Sequence, residues 1–358
     1  MEFLIPISEF GTYLCFAILA GYIALQYIPA EYKPQSTVSK RTILLSTLGV
    51  FVFSLGPAAL AISYFRDTVG FTMAAYSVIT DSQIGKVWVV IGFSSVLLWV
   101  TCLLNGSKHV QGLLLVIMVL AIGYSGHSAS LSFWFGFVAH SGHFSMVILW
   151  SGILIHVAWF SRDQTKWKKF LQWFTPFAIG CIIIIVISGL TLMFFVVKPD
   201  TYVNSWLLPY GQMLLLKHIG IIPILVFAFI NGVLARRAVS SPSFNPRPWV
   251  KAETIVILIV FFFTSILGTL PPPHEVDFAA DSQGSSSWVE WILGKEILPA
   301  ANVTLTANTM SILLFVTSLL FLILIILSFK KVKPAVGVFF AGSFIASMYL
   351  GLILSLSL

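Results

Sequence analysis

Long apolar runs constrain the fold of this chain more than any other feature of its sequence. Ten of them extend for about 20 residues, enough for an α-helix to cross a hydrocarbon layer of about 30 Å. Only 9% of the residues are charged, whereas a soluble domain carries about a quarter. The two-residue alternation of a membrane β-barrel is absent. We therefore predict an all-α, polytopic transmembrane bundle of about ten helices, forming a single integral membrane domain over residues 1–358.

The apolar runs also set the approximate bounds of the predicted spans. A long extracytoplasmic loop over residues 271–304 should separate spans eight and nine, with a short amphipathic segment around Trp288–Leu293. Pro57 and Pro223 lie inside spans two and seven and predict kinks. The spans are Ser8–Ile28, Thr42–Phe65, Gly85–Leu104, His109–Ser130, Gly136–Phe160, Leu171–Val197, Pro209–Leu234, Val250–Leu270, Leu305–Phe329 and Pro334–Leu354.

Basic residues cluster in alternate loops, which predicts the orientation of the chain. One set of loops holds most of the lysines and arginines and is cytoplasmic by the positive-inside rule. The N-terminus, the 271–304 loop and the C-terminus are then outside. The same rule accounts for the net charge of +7 without a nucleic-acid partner. The other set of loops holds only Arg66, Lys86, Lys198 and Lys295.

The three cysteines give no sign of a disulfide framework or of a Cys-based metal motif. Cys15, Cys102 and Cys181 are far apart in sequence and each lies in an apolar run. We interpret them as small packing residues.

Histidines near the predicted outer ends of spans four and five are the first candidates for a functional site. His127 follows Gly126 near the end of span four, and His140 and His143 open span five at i, i+3. Met146 continues the same helical face. Imidazole binds several transition metals, and a thioether shifts the preference towards Cu(I). A short connection makes the two spans antiparallel neighbours, so His127 and His143 can meet at a similar depth.

The alternative for each of these histidines is a structural hydrogen bond to a neighbouring carbonyl, and both interpretations stay open. His109 and His156 lie at cytoplasmic helix ends, where an interfacial role is the simpler expectation. His274 follows three prolines in the 271–304 loop, where a solvated side chain is expected.

A lysine inside span seven is the second candidate. Lys217 lies at a depth where a cation costs about 2.5–3.5 kcal/mol, so it should face a polar cavity or snorkel to the outer interface. Tyr210 and Met213 share its stripe at i, i+3, i+7, whereas His218 lies about 100° further round the helix. Glu253 begins span eight, where we expect the helix dipole to stabilise its carboxylate.

These residues resemble the motifs of the CopD family of bacterial copper-resistance and copper-uptake membrane proteins. The resemblance consists of Gly126-His127-Ser128, the helix His143–Leu154, the Tyr210–Lys217 segment, and Glu253 on a helix that ends at Pro271–Pro273. It extends over spans four to eight, so that residues 109–273 form the CopD-like core. Two positions depart from the family pattern: Ser151 replaces a common Gly or Val, and Gln212 replaces a common Arg.

The resemblance implies a copper transporter that imports copper across the bacterial cytoplasmic membrane. Copper would be captured by His127, His140 and His143, with Met146 as a soft ligand. The chain has no fused CopC-type domain, so an extracytoplasmic CopC-like protein would be a separate partner.

Two other functions stay open, and enzyme activity is not expected. The first is a b-type haem redox protein, although His143 and His156 lie about 140° apart around their helix and fit one haem stack poorly. The second is a non-metal membrane carrier or assembly factor. No ATP-binding loop or catalytic triad is present in the sequence.

Overall fold

A computed structural model describes residues 4–161, 166–238, 244–273, 284–297, 303–329 and 331–358. Within these residues ten helices are long and apolar enough to cross a membrane. The predicted all-α bundle is confirmed, and the protein is a multi-pass integral membrane protein of the cell membrane. Contacts divide the chain into two units, Met1–Leu192 and Met193–Leu358, which are described separately.

The first unit consists of α-helices and a few short irregular connections. Ser39 and Ser82 cap α2 and α5 by accepting hydrogen bonds from backbone amides in the first turn. The last helix of the unit, α9, continues past the unit boundary. The helices are α1 (Leu4–Tyr27), α2 (Lys40–Phe53), α3 (Gly56–Val69), α4 (Phe71–Thr80), α5 (Gln83–Leu103), α6 (Lys108–Ser125), α7 (His127–Leu131), α8 (Phe133–Trp159) and α9 (Trp167–Val196).

The second unit contains four long helices and one two-stranded ladder. Strands β1 (Thr304–Leu305) and β2 (Leu356–Ser357) pair antiparallel. Helix α11 passes into a π-helical segment, Ile230–Ala235. The helices are α10 (Tyr202–Ser205), α11 (Pro209–Phe229), α12 (Arg236–Ala238), α13 (Arg247–Leu267), α14 (Ser287–Leu293), α15 (Thr309–Ser328) and α16 (Pro334–Leu354).

The prolines of spans two and seven have different effects on their helices. Span two breaks between α2 and α3 immediately before Pro57, as predicted. Helix α11 instead continues through Pro223, and the irregularity appears later, in the π-helical segment. The predicted amphipathic segment is confirmed as helix α14, in which the rings of Trp288 and Trp291 stack 5.0 Å apart.

Close backbone contacts hold the first unit together at the crossing of α1 and α8. A Cβ on Gly152 would collide with the carbonyl of Ala17, and a Cβ on Gly21 would collide with the carbonyl of Gly152. In lipid the hydrophobic effect contributes little to helix association. Small residues therefore stabilise the association, because they allow the helix backbones to pack closely. Phe16 and Phe144 fill the adjacent core, with ring centroids 5.2 Å apart.

Buried amide hydrogen bonds connect separate helices of the second unit. Gln212, at the start of α11, is 2% exposed. Its Nε2 donates to the carbonyl of Trp206, and its Oε1 accepts from the hydroxyl of Tyr349 on α16. The polar ends of this side chain are therefore both satisfied, as a buried amide requires.

A carboxylate organises the segment around α14. Oε1 of Glu290 accepts from Ser285 Oγ at 2.5 Å and from the backbone amide of Ile297 at 3.2 Å. The bond from Ser285, followed by that from Ile297, lowers the pKa of Glu290 below its ordinary value.

A pH dependence follows from this lowered pKa. The hydrogen-bonded Glu290 carboxylate stabilises this segment fully above the unfolded-state pKa of the group. This stabilisation is lost as the pH falls through the lower folded-state pKa. We expect hydrogen-exchange protection of the Ile297 amide at neutral pH to decrease in acid. Glu290→Gln, which cannot ionise, should show no such decrease. Identical protection profiles of the two proteins across this range would contradict the role of the carboxylate.

Candidate functional site

The candidate metal ligands of the first unit lie on α7 and α8, with helix bounds that differ from the prediction. Span four ends at Ser125, because Gly126 takes an extended conformation (φ −63°, ψ 138°). His127 therefore begins the separate helix α7 and is exposed. Helix α8 begins at Phe133, so His140 lies about two turns and His143 about three turns inside it, and neither opens the helix. His140, His143 and Met146 are each partly buried.

His140 lies against the break between α6 and α7. A Cβ at position 126 would collide with Nδ1 of His140, so only glycine allows this approach. The backbone that carries His127 therefore passes directly beside His140. This contact agrees with the expectation that spans four and five are neighbours at their predicted outer ends.

His143 contacts α9. Its Nδ1 lies 3.1 Å from the carbonyl oxygen of Ile185 and 3.2 Å from Oγ of Ser188. A carbonyl only accepts hydrogen bonds, so the contact with Ile185 is a hydrogen bond when Nδ1 carries a proton. Gly189 is the third contact, since a Cβ there would lie 3.2 Å from Cε1 of His143. This carbonyl contact is the one expected of a structural histidine, and it is also the contact that metal-binding histidines commonly make with their second ring nitrogen.

The convergence of the three histidines on one ion stays a prediction. His140 contacts the α6–α7 break, whereas His143 contacts α9. Within the described part of the chain, no three His, Cys, Asp or Glu side chains form a group that could hold a metal ion. Met146 follows His143 by one helical turn and supplies a thioether on the same face.

The polar residues of α11 belong to the second unit. Tyr210 and Met213 pack against one apolar cluster with Leu214 and Leu267, which agrees with a common stripe. Lys217 is partly buried, and no described side chain lies within hydrogen-bond or ion-pair distance of its Nζ. Whether it faces a polar cavity stays a prediction.

His218 has a partner that its position in the sequence does not reveal. Its Nδ1 lies 2.7 Å from the hydroxyl of Tyr202, on the short helix α10. The two rings are 5.9 Å apart, and Tyr202 also packs edge-on against Trp206. No periodicity connects residues 202 and 218, so only the tertiary structure pairs them.

The two histidines predicted at cytoplasmic helix ends have different environments. His109 is exposed, and its Nδ1 lies 3.3 Å from the hydroxyl of Tyr27, which agrees with an interfacial side chain. The interfacial interpretation of His156 is wrong. That side chain is 1% exposed and donates from Nε2 to the carbonyl of Ile18 at 2.8 Å, because the close α1–α8 crossing encloses it. His274 lies outside the described residues.

The prediction that the helix dipole stabilises Glu253 is also wrong. Helix α13 begins at Arg247, so Glu253 lies beyond the first turn, where the dipole effect has fallen off. The carboxylate is 2% exposed and accepts from Nδ2 of Asn231 at 2.7 Å. Sequence analysis missed Asn231, although an amide in an otherwise apolar span was a usable signal.

The cysteines fit the packing interpretation. All three are free thiols, and Cys102 and Cys181 are buried. Cys15 packs between α1 and α2, where its Sγ lies 2.5 Å from the position of a Cβ on Gly49.

Comparison with known families identifies one segment of the chain. Residues 168–267 match the family model of Copper resistance protein D, CopD. The matched segment contains the Tyr210–Lys217 motif and Glu253, whereas His127, His140 and His143 precede it. No curated protein and no solved structure matches the chain. The predicted CopD resemblance is confirmed for this segment, and a membrane function related to copper resistance or transport follows from it.

Proposed function

Because residues 168–267 are a CopD family segment, we propose that this protein is a copper transporter that imports copper across the bacterial cytoplasmic membrane. Copper is its cargo, and the protein acts as a carrier and not as an enzyme. The ligands on the predicted outer side are His127, His140 and His143, with Met146 as the soft ligand. A separate CopC-like protein would deliver copper to this side.

The contact between Nδ1 of His143 and the carbonyl oxygen of Ile185 is the observation that supports the proposal. Metal-binding histidines commonly donate their second ring N–H to a carbonyl or carboxylate, which orients the ring and raises its basicity. His143 makes this bond to Ile185, with Ser188 beside it. Nε2, the other ring nitrogen, is the proposed copper ligand, and Met146 adds a thioether that favours Cu(I).

A carrier must also release its cargo. Binding has to be strong enough for entry and weak enough for exit. Side chains from separate helices, which approach the ion one or two at a time, satisfy this requirement better than a closed structural cage. In the second unit, the proposed transport residues are the polar groups of α11, namely Tyr210, Met213, Lys217 and His218.

The proposal is tested by copper binding and uptake of single-site variants. His143→Ala should abolish copper binding by the purified protein and copper accumulation by expressing cells. Met146→Leu, which conserves volume, should weaken Cu(I) binding but retain the fold. Ser188→Ala should weaken binding about 10-fold, as expected for loss of a group that orients a ligand.

His109→Ala is the matched control, because it removes an exposed imidazole at a distant helix end. It should bind and accumulate copper like the unmodified protein. Unchanged binding and uptake in His143→Ala would overturn the proposed site. Lower copper content in expressing cells would indicate export and would overturn the proposed direction.

A further inference from the structure

A buried pair of polar side chains lies where the π-helical segment of the second unit meets α13. Asn231 is 4% exposed and Glu253 is 2% exposed. Nδ2 of Asn231 donates to Glu253 Oε2 at 2.7 Å and to the carbonyl oxygen of Trp249 at 3.2 Å. The π-helical turn that carries Asn231 is a rare and costly geometry that often marks functional sites.

The pair has more hydrogen-bond acceptor atoms than donor atoms. Oδ1 of Asn231 is buried and has no hydrogen-bond partner among the described residues. A buried acceptor without a donor costs about 1–3 kcal/mol, which a bound donor would recover. Together with the carboxylate of Glu253, this oxygen forms an acceptor-rich site inside a membrane-spanning bundle.

The charged groups nearest the pair are basic, and none forms a described ion pair with Glu253. No described basic side chain lies within ion-pair distance of Glu253. Among the described residues, the elements that carry the pair and the segment before α16 contribute basic side chains. They are Arg236 and Arg237 after the π-helical segment, Arg247 and Lys251 on α13, and Lys333 before α16.

The chemical groups of the site determine which ligand it can bind. Mg²⁺ and Ca²⁺ take about six or more oxygen ligands, and this pair offers too few. Copper prefers imidazole and sulfur ligands, which neither residue provides. A proton needs only one carboxylate oxygen and a hydrogen-bonding neighbour. Ionisable residues inside membrane spans are typical of proton pathways.

We propose that Glu253 and Asn231 form a proton-exchange site, in which the Glu253 carboxylate takes up one proton as a carboxylic acid and later releases it to water. An O–H bond forms on a carboxyl oxygen at uptake and breaks at release, without a redox partner. Asn231 is a positioning residue, whose amide donates to the carboxylate and whose Oδ1 is available to a proton-carrying water. This site goes beyond copper transport and does not depend on it.

Infrared difference spectroscopy tests the site on the full chain in liposomes without copper. Between high and low pH, we expect a carboxylic-acid carbonyl band that shifts in D₂O. Glu253→Gln should lose this band, because its amide still accepts from Asn231 but cannot be protonated. Glu253→Asp should retain a titrating band at a shifted frequency. Asn231→Leu should shift the carbonyl frequency without removing the band.

Glu290→Gln is the control, because it removes a carboxyl outside the spans and should leave this band intact. Identical pH difference spectra of the unmodified protein and a folded Glu253→Gln variant would overturn the proposal. If sodium or potassium removed the band at constant pH, the ligand would be a metal cation instead of a proton, which would also overturn it. Copper binding by His143 can fail or succeed independently of these outcomes.

Discussion

Replacing Gly152 by alanine is expected to destabilise the protein by about 3 kcal/mol, although alanine is the better helix former. The added Cβ would collide with the carbonyl oxygen of Ala17 and would lie 2.8 Å from the amide nitrogen of Gly21. Both atoms belong to the backbone of α1, so no side-chain rotation can relieve the clash. The two helices must separate, which removes dispersion contacts along their whole crossing.

The effect can be measured by unfolding the purified protein in mixed micelles of increasing SDS content, followed by tryptophan fluorescence. Gly142→Ala is the matched control on the same helix, because nothing lies within 4 Å of its added Cβ. It should be neutral or should stabilise the protein by up to about 1 kcal/mol through helix propensity. Equal unfolding midpoints for the two variants would contradict the proposed backbone contact between α1 and α8.

The second large effect is expected at Gln212. Gln212→Leu preserves approximate volume, but it leaves the carbonyl of Trp206 and the hydroxyl of Tyr349 without their partner in a buried site. Each unsatisfied group costs about 1–3 kcal/mol, so we expect a loss of about 2 kcal/mol or more. The same unfolding measurement gives this value.

A double-mutant cycle with Tyr349→Phe separates the hydrogen bond from the packing. Tyr349→Phe alone should destabilise the protein, because Oε1 of Gln212 then loses its donor. The double variant with Gln212→Leu should lose less free energy of unfolding than the sum of the losses in the two single variants. Both the amide and the hydroxyl are then removed, so neither group is left without its partner. Strict additivity would mean that the hydroxyl and the amide do not interact.

Sequence periodicity located the spans well but placed the candidate ligands less accurately. The apolar runs predicted all ten spans, and the bounds Pro334–Leu354 agree fully. The predicted helix around His127 was too long, because the backbone is extended at Gly126 and a separate short helix begins at His127. Helix α4 was missed, because the apolar run that carries it is too short to span a membrane.

The environments of single polar side chains were the least predictable part of the site. We expected an interfacial side chain for His156 and stabilisation by the helix dipole for Glu253. Contacts with Ile18 on α1 and Asn231 on the π-helical segment instead bury them. Those partners are remote in sequence, so no local pattern contains the information.

The amino-acid sequence by itself determined that this chain is embedded in a membrane, how many times it can cross that membrane, and that one of its segments resembles CopD. Hydrophobic length decides the first two properties, because each backbone polar group in a bilayer must be satisfied within its own helix, whereas the resemblance depends on motifs. Only the tertiary structure decided that His143 contacts the carbonyl of Ile185, how closely α1 approaches α8, and that Asn231 contacts Glu253. These depend on interatomic distances between remote helices, where a few ångströms decide whether a polar atom is satisfied.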